Sequence, residues 1–340
     1  MKRRLISLAV PLVLAVTAAC GGGGSSAADV GSVGPGPNEA PAPAAPVVGN
    51  YPLTGMPATD AAKLRRAAVV VKIDNSAAAR PQAGLDRADV IYEEFTEGIT
   101  RFVVVFQSSD AAQVGPVRSV RPGDPDIVKA FGGPLVFSGG SGPVLEVVRA
   151  AGITQVTEND RATLRRRSGK RAPHNLYSTT DAMFGKATGG SAPPAFSPFL
   201  APGAKSTAAG GTAVTRLSLS AAPGVTAAYD WDPGAGVWKR STDGRPHMLE
   251  GNAQISPRNV IVQYTPYVTF PPDPKVRYPE VVGSGDAVVF VGNTQVRAKW
   301  TKSGPGAVTT FADSAGRPIP LAPGQTFVHL QAPGTAVTAS

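Results

Sequence analysis

The chain has 340 residues, 42% hydrophobic and 17% charged, with 39 Gly, 33 Pro and a single Cys. That length allows two domains with buried cores and many turns; it excludes a disulfide framework, and 6% aromatics argue against an aromatic-lined polymer-binding surface. The net charge of +9 is uneven, since Lys2, Arg3 and Arg4 carry three and six basic groups crowd between Arg161 and Arg171. The broad basic face that a nucleic-acid binder needs is missing, so no nucleic-acid partner is expected.

Residues 1–20 read as a lipoprotein signal peptide. Lys2-Arg3-Arg4 precedes an apolar run from Leu5 to Ala19 and then Cys20, a basic region followed by a hydrophobic one of signal length. The run is shorter than the roughly 20 residues that span a bilayer. Thr17-Ala18-Ala19-Cys20 resembles a lipobox, with Thr where Leu is commoner. An ordinary secretory signal ending near a cysteine is the alternative. Cys20 is the lone cysteine, stands where a thiol is lipidated and is followed by Gly21 to Gly24. Acylation of that thiol accounts for it, and two acyl chains anchor stably where one is marginal. The expected address is the extracytoplasmic face of the cell membrane, with membrane lipid as the first partner.

Residues 21–50 are dominated by Gly, Ala, Pro and Ser and are expected to form a disordered tether spanning about 30 Å root-mean-square. Residues 51–190 read as an α/β domain, a mixed sheet with short helices. Ala67 to Ile73, Asp89 to Phe95 and Ile99 to Gln107 are strands, the last two joined as a hairpin at Glu97-Gly98. Asp124 as N-cap and Pro125 at the first helical position are expected to open a short helix running to Phe131. The strand Pro134 to Phe137 turns through Ser138–Gly142 into a helix from Pro143 to Gly152, before a strand Ile153 to Val156. Residues 191–212 form a linker. Residues 213–333 show short strands between turns, among them Ala228 to Trp231, Val237 to Arg240, Val260 to Tyr264, Ala287 to Val291, Val296 to Trp300, Val308 to Phe311 and Phe327 to Leu330. That second domain is expected to be mostly antiparallel β.

Standard catalytic signals are absent: there is no P-loop, no His-Glu-x-x-His, and the three histidines lie far apart. Gly139-Gly140-Ser141-Gly142-Pro143 has Pro where a nucleophile elbow needs Gly, so the hydrolase elbow is rejected. A glycine-rich turn opening a helix offers free N–H groups to an anion, although glycines of a tight turn explain it equally. Arg80, Arg87, Arg101, Arg118 and Arg121 sit beside strand ends or turns, as do Asp74, Asn75 and Asp89. Pro116 and Pro122 bracket Arg118, Ser119 and Arg121, so that stretch is not a helix interior and its arginines can converge. The ordinary alternative is surface arginines paired with carboxylates. His174, behind Pro173, stands out among the histidines, against the default of a structural hydrogen-bonding role.

These motifs carry a resemblance. Tyr51-Pro52-Leu53-Thr54-Gly55, Lys72-Ile73-Asp74-Asn75, Ala79-Arg80-Pro81-Gln82, Ala88-Asp89-Val90-Ile91-Tyr92-Glu93, Gly98-Ile99-Thr100-Arg101-Phe102, Gly115-Pro116-Val117-Arg118-Ser119 and Ala172-Pro173-His174-Asn175-Leu176-Tyr177 resemble the YerB-type lipoproteins, as do Asn259 to Gln263, Lys299-Trp300-Thr301-Lys302 and Pro323-Gly324-Gln325-Thr326. The resemblance runs from residue 51 to 331. It implies a lipoprotein address and a two-part layout of unknown function, and it lends no activity. The order Asp74, Arg87-Ala88-Asp89, Arg118 to Arg121 is also similar to wall-polymer transferases of the LytR-CpsA-Psr type, which hold a polyprenyl diphosphate and a divalent cation.

The expected site comprises Asp74, Asn75, Arg80, Asp89, Arg101, Gly115, Arg118, Ser119, Arg121, Gly139, Gly140, His174 and Asn175. The leading reading is binding of an anionic envelope ligand or wall polymer. One alternative is a phosphoryl or glycopolymer transferase with Mg²⁺ held by Asp74 and Asp89; another is a structural or scaffolding lipoprotein. The loop Asp160 to Arg171 is expected to be exposed and mobile, either as a solubilising loop or as a segment attracted to anionic lipid.

Overall fold

Strand β1 (Val69–Asp74) is buried along all six residues, as its run of three valines requires of a strand covered on both faces. A computed structural model describes residues 46–340; the signal, Cys20 and the tether to residue 45 lie outside the described residues. Strands β2 (Val90–Thr96) and β3 (Ile99–Phe106) form the expected hairpin. Glu97 and Gly98 both take positive φ, 50° and 84°, the two-residue turn whose twist matches its strands. β3 also pairs antiparallel with β1. Helix α1 (Asp124–Val128), strand β4 (Leu135–Val136), helix α2 (Gly142–Ala150) and strand β5 (Gln155–Val156) follow. β1, β4 and β5 run parallel.

Beyond residue 212 the strands include β6 (Arg216–Ala222), β7 (Val225–Asp232), β8 (Val237–Thr242), β9 (Asn259–Tyr264), β10 (Gly283–Val291), β11 (Thr294–Lys302), β12 (Thr326–Gln331) and β13 (Val337–Ala339). Most pair antiparallel, as expected. β12 is the exception: it lies parallel to β9 on one side and to β2 on the other, with Val328 opposite both Ile261 and Tyr92. Strands from both sides of residues 191–212 therefore build one eleven-stranded sheet. A second sheet of five strands holds β8, β7, β6 and β13.

Three expected boundaries shift. Gly49–Asn50 already pairs with Pro57–Ala58, so order begins before residue 51. β13 pairs with β6, so the last domain extends past residue 333. Residues 191–212 are no free spacer: Phe196 is buried, its N–H donates to the Pro52 carbonyl, and Leu200 N–H donates to Leu321 O at 2.8 Å. Apolar side chains in a Pro/Gly-rich stretch pin it to the surface it crosses.

Alternation assigns the two faces of the large sheet. Val70, Val103, Val105 and Tyr92 pack with Ile127 and Val128 of α1 and Val144 and Val148 of α2. Val69, Val71, Ile73 and Phe102 pack with Leu217, Leu219, Tyr229 and Trp238 of the second sheet. Each fully buried Val, Leu or Phe contributes about 1.5–3 kcal/mol.

The basic loop is also more ordered than expected. Arg165–Arg166 pairs with Leu176–Tyr177, and Arg167 makes two bonds to Glu250, at 2.8 and 2.7 Å, with its guanidinium 4.1 Å from the Tyr177 ring centre. A carboxylate from the second half of the chain, outside the reach of a local reading, holds it. No helix among the described residues is long and apolar enough to cross a membrane.

Candidate anion-binding site

β4 pairs with β1 only at Val70 and Val71, so the two parallel strands part before Asp74. Residues 116–120 wedge into the fork. Arg118 N–H donates to Lys72 O at 2.8 Å, Asp74 N–H to Pro116 O at 2.9 Å, Ser138 N–H to Arg118 O at 2.9 Å and Val120 N–H to Gly139 O at 2.9 Å. The wedge sits at the carboxyl ends of parallel strands, the crevice where open α/β sheets take ligands. It places Ser119 and Arg121 on a cleft of about 270 Å³ lined also by Glu97, Gly140, Ser141 and Asp273. Gly139 borders open space, and a Cβ at Gly140 would press on Val120 and Leu145 at 3.1 and 3.3 Å, so the turn is both exposed and close-fitting.

Arg121 lines this cleft, and it is one of three neighbouring guanidiniums, with Arg101 and Arg118. Arg101, its side chain only 4% exposed, donates to Ser119 O at 3.1 Å and stands 3.6 Å from Glu97. Its Nε has no partner among the described residues. Burial and then the neighbouring Arg121 and Arg118 pull its pKa down to about 10. Arg121 pairs with Glu97 and donates to Thr96 Oγ1 at 3.1 Å. Arg118 Nε lies 2.9 Å from Asp74 Oδ2, yet off the line of its N–H, so the pair is ionic without an aligned hydrogen bond. The same Asp74 oxygen meets His174 Nδ1 at 2.7 Å, and Oδ1 accepts from Ser76 N–H at 2.9 Å. Burial pushes the Asp74 carboxyl up, but the Ser76 amide, His174 and Arg118 together outweigh it and hold it below the ordinary range.

The structure thus gathers Asp74, Arg101, Arg118, Ser119, Arg121, Gly139, Gly140 and His174, and it scatters the other candidates. Asp89 begins β2 while Asp74 ends the parallel β1. At ~3.3 Å per residue their backbones are about 16 Å apart along the strands, with two strand spacings of about 4.8 Å across, far beyond the 2.0–2.1 Å bonds of a shared Mg²⁺. Asp89 instead accepts from the Gln107 and Ser108 amides and the Ser108 hydroxyl, buried and raised to about 6 by that burial. No group of three potential metal-ligating residues occurs among the described residues. Asn75 turns inward to Glu93 and Thr100, and Arg80 follows it to the Asn75 carbonyl and Asp243. Gly115 is structural, because a Cβ there would lie 2.6 Å from Tyr177 Cδ1. Asn175 accepts from Arg166 on the outer strand pair.

Two charged clusters escaped the sequence reading. Lys72 pairs with Glu94 and, at 2.6 Å, with Asp124, all three side chains buried. Asp124, expected as a helix cap, is spent here and on the Arg121 amide at 2.7 Å, while Gly123 takes the cap position. On the opposite face Arg240 grips both oxygens of Glu93, at 2.9 and 3.1 Å, with Tyr229 and His329 alongside. Lysine in a strand of valines and Glu93-Glu94 inside an otherwise apolar strand were the available signals.

Residues 53–192 match the N-terminal domain, and residues 217–328 the C-terminal domain, of a family described as protein of unknown function DUF3048. The chain belongs to this family. Over 287 residues it is 27% identical to "Putative lipoprotein YerB" of Bacillus subtilis (strain 168), covering 82% of this chain and 85% of that protein. The crystal structure of YerB from Bacillus subtilis superposes with a TM-score of 0.73 at 22% identity, covering 85% of this chain and 99% of that one, so the fold is shared. The DUF3048 N-terminal part is a mixed sheet with few and short helices, and the C-terminal part is mostly antiparallel β, with β9 and β12 its parallel pair. All gathered residues lie in the N-terminal part, and the second half of the chain supplies Arg240, His329 and the cleft's Asp273.

Proposed function

We propose that this DUF3048 protein is a lipid-anchored extracytoplasmic lipoprotein that binds an anionic cell-envelope ligand through a phosphoryl group, at the cleft lined by Arg121 and the neighbouring Arg101 and Arg118. The address rests on the signal and lone Cys20, and on the lipoprotein name that its Bacillus subtilis relative carries. The ligand rests on one observation: Arg101 is buried beside Arg118 and Arg121 with an unpartnered Nε. A buried cation without its full set of acceptors is costly unless something supplies them, and guanidinium groups match phosphate oxygens in pairs. Glu97, Asp273, Ser119 and Ser141 add acceptors and hydroxyls to the same cleft. That mixed lining suits a phosphate flanked by sugar hydroxyls better than a bare anion.

Melting midpoints of the mature protein should rise with inorganic diphosphate or polyprenyl phosphate, since a ligand that binds only the folded state stabilises it by about 2.7 kcal/mol at a hundredfold excess over Kd. Arg118→Ala should lose the rise. No rise with phosphate, diphosphate or polyprenyl phosphate overturns the ligand assignment. Separately, Cys20→Ala should move the protein from the membrane to the soluble fraction.

A further inference from the structure

We infer that Asp74 and His174 form an acid–base dyad that cleaves a phosphoryl ester or anhydride bond in the ligand held by Arg101, Arg118 and Arg121. The inference rests on the ligand reading above and adds a reaction to it. Asp74 is fully buried, and both its oxygens are occupied, Oδ1 by the Ser76 amide and Oδ2 by His174 and Arg118. It is held as a carboxylate with no freedom to turn. A carboxylate on Nδ1 fixes the imidazole tautomer with the proton there, which leaves the Nε2 lone pair as the base. Among the described residues nothing bonds to Nε2, and the His174 side chain is 22% exposed.

The geometry also excludes Ser76 as a nucleophile activated by His174. Ser76 Oγ approaches His174 at 3.4 Å, but at Nδ1, the nitrogen already committed to Asp74. A serine relay needs its hydroxyl at Nε2. Water is therefore the nucleophile. The dyad also lies beside the arginines, because Asp74 is the cross-strand partner of Arg101, with Cα atoms about 4.5–5.5 Å apart.

In the step, the water oxygen bonds to phosphorus while its proton passes to His174 Nε2. The P–O bond to the leaving group then breaks, and the imidazolium returns the proton to the departing oxygen. A phosphodiester plus water gives a phosphomonoester and an alcohol; an anhydride gives two phosphates. Arg118 and Arg101 offset the charge that grows on the non-bridging oxygens.

The mature full-length chain is incubated with bis(p-nitrophenyl) phosphate and with polyprenyl diphosphate, and its melting midpoint is measured with inorganic diphosphate. The dyad predicts release of p-nitrophenol or inorganic phosphate that falls about 10²-fold or more in His174→Gln, with the diphosphate-induced rise retained. Arg118→Ala should lose both readouts. Stabilisation by diphosphate without release from either probe overturns the dyad and leaves the binding reading standing, as does release that His174→Gln leaves unchanged. Loss of stabilisation in the wild type overturns both.

Discussion

Glu93 and Glu94 are neighbours on β2 and face opposite sides of the same sheet, and their surroundings differ in kind. Glu93 lies under the second sheet, where Arg240 takes both oxygens, Asn75 and Thr100 donate to it, and His329 Nδ1 stands 3.0 Å away without an aligned hydrogen bond. Burial raises its pKa, but Arg240 and His329 overcome that and hold it far below the ordinary carboxylate range. Glu94 lies on the helix side, sharing Lys72 with Asp124, and its Oε2 has no partner among the described residues. Burial and the nearby Asp124 raise it to about 6. One ammonium cannot serve two buried carboxylates as fully as one guanidinium serves one. Across the strand from Glu94 stands Arg101, also incompletely paired, and then the cleft. At one register a sheet carries on one face a carboxylate with both oxygens paired, although His329 Nδ1 beside it lacks an aligned partner, and on the other face a carboxylate oxygen and a guanidinium Nε that are both unpartnered; perturbed, unsatisfied groups beside a crevice mark function.

The largest effect should come from the Glu93 face. Arg240→Met strands Glu93 in the core and should cost about 3–5 kcal/mol in urea unfolding; a loss under about 1 kcal/mol would mean that the cluster does not hold the two sheets together. On the Glu94 face, Arg101→Met removes a cation crowded by two others. It should change stability by no more than about 1 kcal/mol, in either direction, while abolishing the diphosphate-induced rise in melting midpoint, the trade expected of a site kept for binding. A cost as large as that of Arg240→Met would erase the distinction between the faces.

The smallest effect is a pH window. Glu94 is raised from its ordinary 4.5 to about 6, so the folded state holds its proton longer than the unfolded one. Its contribution is fully present below about pH 4.5 and is lost as pH rises through about 6. The stability difference between wild type and Glu94→Gln should therefore move against the wild type from pH 4.5 to 7, and a constant difference would show that Glu94 does not titrate in that range. Asp89, raised to about 6 by burial, titrates in the same window and cancels in the comparison.

What the sequence determined by itself was local. The valine run of β1, the Glu97-Gly98 hairpin and the glycine turn into α2 were legible because periodicity and turn chemistry act over a few residues. So were the family motifs and the non-helical stretch between Pro116 and Pro122 that carries Arg118 and Arg121. Only the tertiary structure decided the rest. β12 returns from the far end of the chain to lie against β2, which joins the two family segments in one sheet, and a local pattern carries no record of a pairing partner so distant. The same folding brings Arg240 to Glu93 and Glu250 to Arg167, and it sends Asp89 to the opposite end of the strands from Asp74. Whether a charged residue is a ligand or a strut depends on what packs over its face of the sheet, and that is a property of layers, which short-range sequence order does not encode.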